Sequence, residues 1–198
     1  HSDPRIAFII CYPFQYYVYK NIYRYLDDAE FIVDFGVFFP TRQSRELEND
    51  LIVFLQRVGV HYRILYYSDY FFKEYSRRFF EPYKTLVGVW ERGCLLLSCN
   101  KDKKKVSVTY GAGKELTQVR FSRRYNDLIL AFGSRDVKLF SLFTEAKIVG
   151  NPKFDDWFNG EFDQVLLLQV GERLSNRKKT ILYLPTHGDL SSLEALSD

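Results

Sequence analysis

Two short stretches hold the residue types best suited to gripping an anion. Tyr110-Gly111-Ala112-Gly113-Lys114 stands directly behind an apolar run, so its glycines let backbone amides approach a bound anion while the Lys114 ammonium neutralises it. It is not a P-loop, because the spacer and the Lys-Ser/Thr pair are missing. An ordinary tight turn with a solvent-facing lysine fits the same letters. The second stretch is Pro185-Thr186-His187-Gly188-Asp189-Leu190-Ser191-Ser192. Ser191 and Glu194 have the spacing of a capping box, so a helix is expected near Ser192 with its first N–H groups facing the turn, a terminus that favours phosphate. Thr186, His187, Gly188, Ser191 and Ser192 are the candidate ligand contacts there, and an ordinary loop histidine is the alternative for His187.

The elements that must position these residues are short apolar runs: Arg5–Cys11, Phe31–Val37, Tyr62–Tyr67, Thr85–Trp90, Val106–Thr109, Asp127–Phe132 and Lys147–Gly150. Runs this short, without polar alternation, suit strands covered on both faces. Helix-like segments lie between them at Phe14–Leu26, Arg45–Val58, Tyr70–Phe80, Gly93–Asn100 and Ser134–Phe143. The second carries Leu47, Leu51, Phe54 and Leu55 at helical spacing on an otherwise charged segment. Strands alternating with helices predict βαβ units and a Rossmann-like three-layer α/β/α domain with a mainly parallel sheet. In such sheets ligands sit beyond the carboxyl ends of the strands. That rule adds Tyr12 after the first run, Trp90 and Glu91 after the fourth, and Ser134 after the sixth.

Other constellations are weaker. Asn151, Asp155 and Asp156 have metal-ligand chemistry, but local hydrogen bonds to backbone are the simpler expectation, and no metal site is expected. His61 precedes a strand and so stands at the wrong end of the sheet. Tyr16, Tyr17, Tyr19, Tyr23 and Tyr25 crowd one helix, where core packing competes with a face for a membrane interface or polymer. No Ser-His-Asp order, HExxH or zinc spacing is present.

The chain has 198 residues, 46% hydrophobic and 18% aromatic, ample to fill one core. A net charge of +3 lacks the clustered excess of a nucleic-acid binder, so no nucleic acid is expected as partner. The dense run Lys101–Lys105 reads as a solvated loop, or as an attractor for an anionic surface. Its 3 cysteines form no CxxC pair and fit reduced cytoplasmic thiols. No run reaches the roughly 20 apolar residues needed to cross a bilayer. Residues 1–4 read as a tag remnant, 5–150 as an α/β domain, 151–177 as a crossing and helix, and 178–198 as the start of a truncated nucleotide-binding domain.

The crossing carries a resemblance. AKIVGNPKFDDWF at Ala146–Phe158, followed by KKTILYLPTHGDLSSL at Lys178–Leu193, resembles the passage between domains in GT-B-type enzymes. It is most similar to the CDP-glycerol:poly(glycerophosphate) glycerophosphotransferases of teichoic acid synthesis, with UDP-N-acetylglucosamine 2-epimerases sharing the architecture. The resemblance spans Lys105–Leu193 and implies the acceptor-side half of a transferase that uses a CDP-alditol or other nucleotide-activated donor. A polymer or glycolipid would be the acceptor, at the inner face of the membrane in peripheral association, and no cofactor is implied. The family's strand of the form KKV-L-HG ends in a histidine taken as general base. KKVSVTYGAGK places Tyr110 there, and a phenol is a poor base at neutral pH. The resemblance therefore implies catalytic positions at Tyr110 and His187, with Gly111, Gly113 and Lys114 near phosphate. A UDP-sugar epimerase or glycosyltransferase, and a non-catalytic binding domain that has lost the base, are the rival expectations.

Overall fold

The computed structural model describes residues 5–35, 42–66, 73–89, 100–109, 121–161, 167–168 and 171–172. Its sheet has seven strands: β1 (Ile6–Ile10), β2 (Ala29–Asp34), β3 (Tyr62–Leu65), β4 (Thr85–Gly88), β5 (Lys104–Val108), β6 (Leu128–Ala131) and β7 (Glu145–Ile148). The spatial order is β3-β2-β1-β4-β5-β6-β7, and every neighbouring pair is parallel. The helices are α1 (Pro13–Tyr23), α2 (Arg42–Val58), α3 (Lys73–Phe80), α4 (Ser134–Phe140) and the short α5 (Asp155–Phe158). This is a Rossmann-like α/β sheet, open rather than closed into a barrel.

Strand pleat divides the core between the two faces. Phe8, Ile10, Phe31, Val33, Val87 and Val108 point to one face, where they meet Val18 and Tyr19 of α1 and Leu51 and Leu55 of α2. Ala7, Ile32 and Leu86 point to the other and pack with Phe80 of α3 and with Tyr83. Farther along that second face Ile129 and Ala131 bury Phe140 of α4. Burying each large side chain stabilises the fold by about 1.5–3 kcal/mol, which is why strands with apolar residues on both faces settle at the centre.

The edges behave differently. In β7, Ile148 is 57% exposed, and the Lys147–Glu145 ion pair lies on this open edge. Coverage on both faces therefore holds for the central strands and fails here: α4 reaches β7 and Ala146 packs beside Phe140, but among the described residues no strand pairs with the outer side of β7. The run Lys101–Lys105 also differs from a simple solvated loop: Lys104 and Lys105 open β5. Lys105 pairs with Asp127 at 3.8 Å, and Lys103 donates to the Glu81 carbonyl at 3.2 Å.

Helix α2 ends as its sequence dictates. Gly59 has φ +69, the Gly59 N–H donates to the Gln56 carbonyl at 3.1 Å, and the Val60 N–H reaches the Leu55 carbonyl at 3.4 Å. Those two bonds form a Schellman motif, in which the left-handed residue satisfies carbonyls left open by the last turn.

Beyond β7 the chain turns at Gly150 (φ +72) and folds back on α1. The buried Asn21 amide donates to the Pro152 carbonyl at 2.6 Å, and Asp156 pairs with Lys20 and, at 3.4 Å, with Arg24. For Asp156 the expected bond to local backbone is thus replaced by ion pairing to a helix distant in sequence, a better match for a carboxylate beside two cations. The chain divides after Asn159 into two compact units, His1–Asn159 and Gly160–Asp198. In the second unit Leu167, Leu168, Gly171 and Glu172 are helical, inside the segment expected as a helix. Thr180–Leu184, and 93–99 of the expected fourth helix, lie outside the described residues. No helix among those described is long and apolar enough to cross a membrane.

Candidate binding edge at the strand-order switch

Strand order selects one place on the carboxyl edge of the sheet. From β1 the chain winds outward through β2 and β3; from β4 it winds the other way through β5, β6 and β7. In doubly wound sheets the ends of the two strands at such a reversal are where ligands bind, which makes the carboxyl ends of β1 and β4 the candidate position.

On the β1 side, Cys11 and Tyr12 lead directly into α1 with no glycine. Pro13 occupies the first helical position, where its missing N–H removes no helix bond. Gln15, 1% exposed, turns its Oε1 back to accept the Cys11 N–H at 2.5 Å and the Tyr12 N–H at 3.0 Å. The loop is thereby fixed from within. Tyr12 and Phe14 stack with ring centroids 5.9 Å apart and planes 20° from parallel, and Phe14 remains 40% exposed.

Tyr19 closes the floor. Its ring packs against Phe8 at 5.1 Å, and its hydroxyl donates to the Ile9 carbonyl at 3.3 Å and also meets the Val89 backbone. One side chain thus touches the last turns of both β1 and β4. Burial pushes the Tyr19 phenol well above its ordinary pKa, so it stays neutral and acts as a structural hydrogen-bonding group.

Along the same edge, β2 ends in Asp34, 2% exposed, and α4 begins at Ser134 behind β6. The Thr109 N–H and hydroxyl both donate to the Leu130 carbonyl, at 3.0 and 3.1 Å, which anchors the end of β5 to β6. Tyr12 and Ser134 therefore share the carboxyl edge but stand three strand positions apart, about 14 Å at ~4.8 Å per strand. A ligand touching both must be extended. Trp90, Glu91, Tyr110, Gly111, Gly113, Lys114, Thr186, His187, Gly188, Ser191 and Ser192 lie outside the described residues. His61 stands immediately before β3, at the amino edge.

A shallow depression of about 450 Å³ lies elsewhere, lined by Glu74, Arg77, Arg78, Glu81, Asp102 and Lys103. It sits beside the start of β5, at the opposite edge from the candidate position, and its cations and carboxylates balance one another. Asp102 is held below the usual carboxylate range by a backbone N–H and by Lys103. Among the described residues no three His, Cys, Asp or Glu side chains are grouped to hold a metal ion.

The tyrosines crowding α1 are mostly consumed by packing. Tyr19 is fully buried, while Tyr16 and Tyr23 lie 5.7 and 4.7 Å from Phe31. Tyr17 and Tyr25 are the exposed ones, at 40% and 73%. Gln15, Tyr19 and Asp34 were not singled out for the site by sequence. Gln15 did carry a signal, since it stands at the third helical position where a capping-box glutamine reaches back.

Together these features define a doubly wound α/β domain whose strand order reverses between β1 and β4, the candidate position for a binding site. No family model matches this chain, and no curated protein or solved structure matches it significantly.

Proposed function

We propose that this chain is the acceptor-side domain and crossing of a GT-B-like transferase that moves a glycerol-phosphate or related alditol-phosphate group. The donor is CDP-activated, and the acceptor is a hydroxyl on a cell-wall or surface polymer. The observation that carries this reading is the all-parallel sheet in the order 3-2-1-4-5-6-7, followed by a segment that folds back on α1. That topology supports the architecture which the crossing sequence resembles, and it leaves one carboxyl edge for the acceptor.

In this reaction the acceptor oxygen attacks the β-phosphorus of the donor. A new O–P bond forms, the bond to CMP breaks, and the hydroxyl proton passes to a base. Tyr110 stands where the resemblance puts a histidine, and a phenol, a poor base, suits ligand positioning by hydrogen bond. His187 is the candidate for the proton. Lys114 and the helix expected from sequence near Ser192 are the candidates to steady the phosphate charge that moves during transfer.

The nucleotide is read chiefly by the domain that opens at Lys178, so the 198-residue chain should bind CDP-glycerol and CMP only weakly. Calorimetry with CDP-glycerol, CMP and UDP-N-acetylglucosamine checks this. Micromolar affinity for a cytidine nucleotide would put the nucleotide site in the wrong half, and selective tight binding of the uridine sugar would favour an epimerase or glycosyltransferase.

A further inference from the structure

We propose that the cation-rich amino edge of the sheet, where the end of α3 meets the start of β5, docks on a bilayer surface that bears anionic lipid headgroups. Arg77 and Arg78 stand in the last turn of α3, Lys84 immediately precedes β4, Lys101 lies in the turn before β5, and Lys104 opens β5. Backbone bonds hold them on one edge. The Lys104 N–H donates to the Lys84 carbonyl at 2.9 Å, and the Lys103 ammonium donates at 3.2 Å to the carbonyl of Glu81, the residue that follows α3. Some cations here are used up internally: the side chains of Lys103 and Lys105 are only 13% and 12% exposed and pair with Asp102 and Asp127. The others are not. All are exposed, and among the described residues Arg78, Lys84, Lys101 and Lys104 form no ion pair, while Arg77 meets only the field of Asp102. Such a cluster sets up a positive potential that reaches about 8 Å into physiological salt and draws an external anion.

Charge also decides between kinds of anion. The shallow depression among these residues is lined by Glu74, Glu81 and Asp102 as well as by Arg77, Arg78 and Lys103, so a small anion settling there meets carboxylates on every side. A soluble polymer with phosphates at fixed spacing meets the same repulsion along its length. Lipids diffuse laterally, so anionic headgroups can gather under the cations while ammonium headgroups face the carboxylates. Long Lys and Arg side chains can also reach a flat surface from different heights on the protein. The amino edge lies at the other end of the strands from the β1/β4 reversal, so docking there leaves the candidate position unobstructed and is independent of the transferase reading.

The test is sedimentation of the 198-residue chain with vesicles of pure phosphatidylcholine and with vesicles of equal parts phosphatidylcholine and phosphatidylglycerol. Titrations with inorganic phosphate and with a soluble glycerol-phosphate oligomer run beside it. Arg78→Gln, Lys101→Gln and Lys104→Gln are made singly and together, with Lys147→Gln on the far edge strand as an exposed control and circular dichroism to check folding. The chain should bind the mixed vesicles and not the neutral ones, and each substitution at the amino edge should weaken binding about fivefold at low salt. Lys147→Gln should leave binding unchanged, and raised salt should release the chain. Equal binding to both vesicles, no binding to either, or binding that survives the combined substitution overturns the docking face. Phosphate or oligomer binding that needs these cations, without vesicle binding, also overturns it and assigns the edge to a soluble anion. Should the combined variant unfold, hydrogen exchange in the parent chain decides: mixed vesicles should slow the Glu81 and Lys103 amides, which donate to Arg78 and Asn100, and unchanged exchange there overturns the proposal.

Discussion

Tyr19 shows how one side chain ties together the ends of two neighbouring strands. Its ring fills the space between α1 and the sheet, and its hydroxyl meets the backbone at the ends of both β1 and β4. Tyr19→Phe keeps the ring and removes one buried hydrogen-bonding group, so it should lower stability by about 1 kcal/mol. Tyr19→Ala removes the ring as well and should cost about 3–5 kcal/mol, the range for losing a large aromatic from a core. Urea titration of both variants checks the ordering. Equal losses would mean that the ring does not fill the floor as described. The sequence shows a tyrosine among several others on α1, and helical phase separates them only once the facing strand is known. Tyr19 meets Phe8 and Tyr17 does not, which no local pattern announces.

At the scale of elements, six of the seven strands were legible as apolar runs, because central parallel strands need apolar residues on both faces, whereas the edge strand β7, Glu145–Ile148, shares only Lys147 and Ile148 with the run Lys147–Gly150. Their order was not. Nothing local tells Thr85–Gly88 that its neighbour is Ile6–Phe8 and not Tyr62–Leu65, yet that choice decides where the strand order reverses. Of the candidate contacts, Tyr12 and Ser134 were legible through the strand-end rule alone, while the buried acid Asp34 was read as the interior of a longer run that β2 in fact leaves at that residue. Helix punctuation was better specified. Gly59 at φ +69 has nothing within 4 Å of where a Cβ would stand, so Gly59→Ala meets no clash and pays only for the left-handed backbone. A loss of about 1 kcal/mol is expected by thermal melting, and no change would mean that the helix ends differently. The fold-back of the crossing onto α1 makes a separate prediction. Asp156→Asn breaks the pairs with Lys20 and Arg24, which are partly solvent-exposed, so stability should fall by about 1 kcal/mol or less and the difference should shrink in high salt. Hydrogen exchange should speed up at the Asn159 amide, which donates to the Asp155 carbonyl at 2.8 Å. An unchanged rate there would show that the ion pairs do not hold this segment.

For the molecule as a whole, buried phenols set the alkaline limit. Burial raises the pKa of Tyr16, Tyr19, Tyr23 and Tyr83, and at Tyr83 a hydrogen bond donated to Glu30 adds to it. Because the folded pKa lies above the unfolded value of about 10, the stabilisation is complete below pH ~10 and is lost as pH climbs through the folded values, where the unfolded chain releases protons first. Denaturation midpoints should fall steeply above pH ~10, with part of the phenolate absorbance appearing only as the protein unfolds. Phenols that all titrate near pH 10 in a still-folded protein would contradict the burial described.

The central proposal is transfer from a CDP-activated donor to an acceptor hydroxyl at the carboxyl edge, and it is tested most directly by following labelled CDP-glycerol with the protein that includes the proposed nucleotide-binding domain. The account predicts acceptor-dependent CMP release with label passing into a phosphodiester. It also predicts that Tyr110→Phe lowers kcat/KM by roughly the factor of five that one neutral hydrogen bond of about 1 kcal/mol supplies, without shifting the pH profile, and that Tyr110→His raises the rate. No transfer by folded protein with either residue at 110, or release of CMP that ignores the acceptor, would contradict it.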